Sequence, residues 1–115
     1  MNYGALEVPK LQRPVVLELV KVTVMTNFLL VENGIVPRFD ERMLKGLKYK
    51  TDASYEQFKD AAKLLEDGWG DCQDIAAYAA TAGYNVMIVN DGAGNFHVVN
   101  EVRGKPRDFT LEMAR

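Results

Sequence analysis

The stretch from Asp71 to Val102 constrains this chain most. Asp71 is a good N-cap, and Asp74, three residues on, sits where a capping acid belongs, near the positive end of a helix dipole. The helix predicted beyond it runs through Ile75 to Ala82 and is closed by Gly83. Ala76, Ala77, Ala79 and Ala80 make it thin on several sides, which suits a central element that lies close against a sheet. Val86-Met87-Ile88-Val89 then reads as a strand, Asn90 to Asn95 as a turn cluster around Gly92 and Gly94, and Phe96 to Val102 as a second strand. Arg103 to Pro106 reads as a turn and Arg107 to Thr110 as a short third strand. A helix followed by an antiparallel meander is an α+β pattern.

Cys72 occupies the first turn of that helix. It is the only cysteine, so it forms no internal disulfide, and His97 is the only histidine. Unpaired backbone N–H groups and the helix dipole favour a thiolate at such a position. The order Cys72, His97, Asp108 is that of nucleophile, base and orienting acid. Strand alternation puts His97, Val99 and Glu101 on one face. If Arg103-Gly104 forms a two-residue turn, Val102 pairs with Lys105 and Asp108 falls opposite Val99. The carboxylate is then diagonal to His97 at roughly 7–8 Å between Cα atoms, within side-chain reach. Each residue also has a plainer reading: Cys72 as a small buried hydrophobe, His97 as a structural strand residue, Asp108 as a turn residue, Trp69-Gly70 as a tight turn. A zinc site from Cys72, His97 and an acid is weakly supported, because only one sulfur and one imidazole exist.

The first half is less patterned. Residues 1–14 read as irregular, punctuated by Gly4, Pro9 and Pro14. Val15 to Val31 carries apolar residues every three or four positions and reads as an amphipathic helix, with Pro14 at its start and Asn33-Gly34 at its stop. The alternation at Val20, Val22 and Val24 leaves a strand open there. Phe39, Met43, Leu44 and Leu47 fit a short helix, and a further helix is expected from Ser54 to Asp67-Gly68, with Tyr55, Phe58, Ala61, Ala62 and Leu65 at helical spacing. The 115 residues are one domain's worth of chain, with a net charge of −2 that offers nothing to nucleic acid or an anionic membrane. No signal-peptide pattern opens the chain, and Pro14 to Leu30 is too short and too polar to span a bilayer. A reducing cytosol is the expected compartment.

The string Gly70-Asp71-Cys72-Gln73-Asp74, with Gly83, His97-Val98-Val99 and Asp108-Phe109-Thr110, resembles the transglutaminase-like superfamily of papain-like cysteine enzymes. Together with Leu47 to Asp52 and Gly68-Trp69-Gly70, it is most similar to small transglutaminase-like proteins of tailed bacteriophages and prophages. The resemblance covers residues 47–111; residues 1–46 match nothing in it and are expected to be an N-terminal helical extension to a core of residues 47–115. It departs from the pattern at Gln73, where many relatives carry an acidic or basic residue, and in the short interval from Cys72 to His97.

The resemblance implies a papain-like core with the Cys-bearing helix packed on a small antiparallel sheet. It implies Cys72 as nucleophile, His97 as base and Asp108 as orienting acid in a hydrolase or acyl-transfer enzyme that forms a thioester from an amide. A protein or peptide is the expected substrate, and no cofactor, metal or calcium is expected. The backbone N–H of Cys72 is the natural first oxyanion donor, with Trp69 a weaker second. The alternative is a phage or prophage structural or assembly protein that keeps the fold and acts by binding virion or host proteins; it would be virion-associated or in the host cytosol.

Overall fold

A computed structural model describes residues 5–9, 13–51, 55–90 and 96–114. In chain order the elements are β1 (Ala5–Pro9), α1 (Arg13–Glu32), a 3₁₀ turn (Glu41–Gly46), β2 (Lys48–Tyr49), β3 (Tyr55–Lys59), α2 (Ala61–Asp67), β4 (Trp69–Gly70), α3 (Cys72–Ala79) with a 3₁₀ turn at Ala80–Ala82, β5 (Val86–Asn90), β6 (Phe96–Val102), β7 (Lys105–Arg107) and a last 3₁₀ turn at Phe109–Glu112. The fold is α+β. Among the described residues no helix is long and apolar enough to cross a membrane.

The centre is α3, all eight residues of which are buried. Its alanines allow close approach from both sides. One side meets a cluster of Leu30, Phe39, Leu44, Leu64, Phe109 and Met113 through Ile75, Tyr78 and Ala79. The other meets Val16, Val20, Phe58 and Val98 through Cys72, Ala76 and Ala77. In the antiparallel β5-β6-β7 sheet, Val89 pairs with His97 and Asn100 with both Val86 and Arg107. Asn100, buried on the α3 side, donates from Nδ2 to Ala76 O and Tyr84 O, both at 3.0 Å, and so ties helix to sheet.

A second junction is built on only two residues. β2 runs parallel to β4, with Lys48 N donating to Gly68 O and Lys50 N to Gly70 O. On its other side Tyr49 N donates to Ala114 O at 2.7 Å and Ala114 N to Leu47 O.

The helix from Val15 is present as α1, not the strand that Val20, Val22 and Val24 left open, because Val16, Val20, Thr23, Asn27 and Leu30 make one buried stripe at helical spacing. Three expectations are corrected. Residues 5–9, expected to be irregular, form β1, which pairs antiparallel with β3. Residues 55–59, expected to be helical, are β3; the helix starts only after Asp60, whose carboxylate caps it by accepting from Lys63 N at 2.9 Å. In both cases a distant pairing partner overrides the local reading of the sequence. The third strand starts at Lys105 because the turn is only Arg103-Gly104, both at positive φ (54° and 79°), the geometry of a tight hairpin turn. Phe109 and Thr110 then leave the sheet as a 3₁₀ turn. Around Leu44 the expected helix is 3₁₀, capped by Asp40. Ser54 and the glycines of the 91–95 turn lie outside the described residues.

Candidate active site

Asp71, Cys72 and Asp74 form the start of α3. Asp74 Oδ2 accepts from Asp71 N (2.9 Å) and its Oδ1 from Lys59 N (2.7 Å), so one buried carboxylate joins the N-cap to the end of β3. Burial pushes the Asp74 carboxyl up to about 7, against the two N–H bonds, which pull it down. Asp71 Oδ2 accepts from Thr51 Oγ1 (2.9 Å). Both acids thus cap backbone, as the spacing predicts, in a reciprocal capping box.

One expectation changes here. Asp71 Oδ1 accepts from the Cys72 N–H at 2.7 Å, so the amide expected to receive an oxyanion is already occupied by the cap. The Cys72 side chain is buried, in contact with the second core cluster, and its Sγ–H donates to Gln73 Oε1 at 3.3 Å. Gln73, the residue that departs from the family pattern, is itself buried.

His97 and Asp108 meet. His97 Nε2 lies 2.7 Å from Asp108 Oδ2, in the register that the two-residue turn requires. Asp108 Oδ1 accepts from Thr110 N (3.0 Å) and Thr110 Oγ1 (2.5 Å), so the carboxylate is held from two sides. With Nε2 committed to Asp108, Nδ1 is the ring nitrogen left to exchange a proton. The structure joins His97 to Asp108 and Cys72 to Gln73, but it is Val98 and Asn100 of β6 that face α3, so strand alternation turns His97 to the other face of the sheet from Cys72.

Trp69 is not a simple turn. It belongs to β4, and Lys59 Nζ sits 3.1 Å from its ring centroid, 3.0 Å from its carbonyl oxygen and 2.9 Å from Asp67 Oδ2. Lys50 lies over the same ring at 5.3 Å. The Lys59 ammonium holds the Asp67 carboxyl below its usual range, with Lys63 adding to the effect. Gly70 is required beside it, because a Cβ there would stand 2.7 Å from Leu64 Cδ1 and 3.1 Å from Asp74. Lys59 and Asn100 carry no signal in the sequence, since only tertiary contacts bring them to the site.

Two clefts are described, an apolar groove of about 600 Å³ beside α1 and a polar one of about 510 Å³ near Tyr84 and Arg107; Cys72, His97 and Asp108 line neither. No cluster of three or more His, Cys, Asp or Glu that could hold a metal occurs among the described residues. No protein-family model, curated protein or solved structure matches this chain.

Proposed function

We propose that this protein is a cysteine-dependent amide hydrolase or acyl-transfer enzyme on a papain-like, transglutaminase-like core. The observation that carries the reading is the His97–Asp108 pair, held at 2.7 Å by a defined hairpin register in a chain whose only cysteine starts the central helix. This reading requires the start of β6 to turn His97 from the sheet face opposite α3 toward Cys72; the thiol then leaves Gln73 and passes its proton to His97 Nδ1, while Asp108 steadies the imidazolium through Nε2. The thiolate adds to the amide carbonyl and the C–N bond breaks as the imidazolium protonates the departing nitrogen. The resulting thioester is then cleaved by water or by an amine. Hydrogen bonds between catalytic groups often tighten only when substrate binds, so the Cys72–Gln73 and His97–Asp108 bonds fit a resting state. An acyl oxyanion reaches the Cys72 N–H only by displacing Asp71 Oδ1, and Trp69 remains the weaker donor candidate. A protein or peptide is the proposed substrate.

The second reading, a phage or prophage structural or assembly protein that acts by binding, is favoured by the burial of Cys72, which is 8% exposed, and by the occupied Cys72 amide. The pH dependence of Cys72 alkylation by iodoacetamide separates the two. The enzyme reading expects reaction well below a free-thiol pKa of about 8.5, with His97→Ala moving the titration upward. A free-thiol profile, unchanged in His97→Ala, supports the binding reading.

A further inference from the structure

Two walls enclose the apolar groove of about 600 Å³, a volume within the range of small-molecule sites. One wall is the stripe of α1 that carries Leu17, Val20, Lys21, Val24, Met25 and Phe28 at three- and four-residue steps. The other is the segment that leaves α3 for β5, with Ala80 and Val86 facing the groove. Its depth follows from burial and residue size. Val20 and Ala80, 1% and 7% exposed, form the floor, and any side chain larger than that of Ala80 would raise it. Leu17, Val24 and Val86 are half-buried sides, and the exposed Met25 and Phe28 make the lip.

Charge on the groove has one sign. Among the described lining residues Lys21 is the only charged one, and no carboxylate stands with it. The Lys21 ammonium is held at 3.2 Å by Glu18, which does not line the groove, and the two side chains are 60% and 71% exposed. A pair so exposed contributes little. The long stem also lets the ammonium take a new partner at the mouth while its methylenes stay on the apolar wall. An apolar body with one negative head therefore finds both of its needs met, whereas a cationic head would meet Lys21 uncompensated.

We propose that this groove binds a small amphiphilic monocarboxylate, its aliphatic chain lying on Val20 and Ala80 and its carboxylate paired with Lys21. Burying the chain also takes surface of Met25 and Phe28 out of water, which supplies the affinity, and the single cation selects the head group. Val20, Val24 and Val86 belong to the cluster that packs Cys72, yet binding here requires no chemistry at the thiol.

Isothermal titration calorimetry near neutral pH tests it, with decanoate and decyltrimethylammonium, both below micelle formation, titrated into the full chain, Lys21→Glu and Val24→Trp. The wild type should bind decanoate with a Kd on the order of 10–100 µM, and the cation at least tenfold more weakly. Lys21→Glu, a change at an exposed position, should keep the wild-type circular dichroism and reverse that preference. Val24→Trp fills the groove and should weaken decanoate at least tenfold; if it does not fold, the charge reversal alone decides. No uptake of decanoate at millimolar concentration overturns the proposal. Equal uptake of the two amphiphiles overturns it as well, since that is adsorption to exposed apolar surface. A preference that survives Lys21→Glu, or a folded Val24→Trp that binds decanoate as the wild type does, would place the ligand elsewhere and overturn it too.

Discussion

Replacing Lys59 by Met keeps the aliphatic stem and removes the ammonium, and the structure sets what that should cost. The Lys59 side chain is 2% exposed. It makes a charged hydrogen bond to Trp69 O, a contact of this kind contributing about 1.5–3 kcal/mol. Its cation–π contact with the Trp69 ring adds about 2 kcal/mol when desolvated. Against these stands the desolvation of the ammonium, several kcal/mol, which the variant recovers. The pair with Asp67 adds less than a fully buried bridge, because Asp67 is 20% exposed and keeps Lys63 at 3.2 Å. The balance is a net loss of about 1–3 kcal/mol in Lys59→Met, below the 3–5 kcal/mol of a broken, fully buried pair. Urea unfolding followed by tryptophan emission measures both parts at once, since Trp69 is the only tryptophan. The midpoint should fall and the native emission should change as the charge leaves the ring. Native-state alkylation of Cys72 should also quicken, because the loosened segment leads directly into its helix cap. A variant as stable as the wild type, with unchanged emission, would refute the reasoning: desolvation would then cancel everything the clamp contributes.

Two further outcomes follow from buried polar groups. Asn100→Asp turns a donor facing two carbonyl oxygens into an acceptor and should lose about 3–5 kcal/mol at pH 7, with part recovered at pH 4, where the protonated acid donates one bond; equal losses at both pH values in urea unfolding would count against it. Asp74 has a folded-state value of about 7 against 3.8 unfolded, so the native state binds a proton between them that the unfolded chain does not. Its contribution is full below about 3.8 and is lost as pH rises through 7. The urea stability of the wild type should therefore decline over that range relative to Asp74→Asn, by up to about 4 kcal/mol, and a flat difference would mean that its two N–H bonds outweigh burial.

Legibility in the sequence follows the range of the interactions involved. The capping box of α3, the left-handed Gly83 that closes its last turn and the diagonal of His97 to Asp108 are set by neighbours within a few residues or by the period of a strand, and all are readable. β1 and β3 are not, because each exists through the other across some fifty residues, while the three-residue spacing of Tyr55 and Phe58 reads as helical. The general behaviour of helix starts points the Cys72 amide at substrate; that its own N-cap takes it depends on the rotamer of Asp71, which spacing does not specify. Lys59 gives no signal, since a lysine at a strand end is ordinarily a solvated one, and only the fold supplies Trp69 and Asp67 around it.

The two residues of β2 have a kinetic consequence. Lys48 and Tyr49 are bonded on one side to the segment entering α3 and on the other to Ala114, over half the chain away. The β5-β6-β7 meander joins strands that are close in sequence, but this junction shuts a long loop and must bear its entropy before any bond there rewards it. Its amides should therefore form late, and in native-state hydrogen exchange Tyr49 should open with the whole molecule rather than by local fraying. Order at the start of the Cys72 helix would then arrive only with the last step of folding, so that no partly folded chain presents an assembled site.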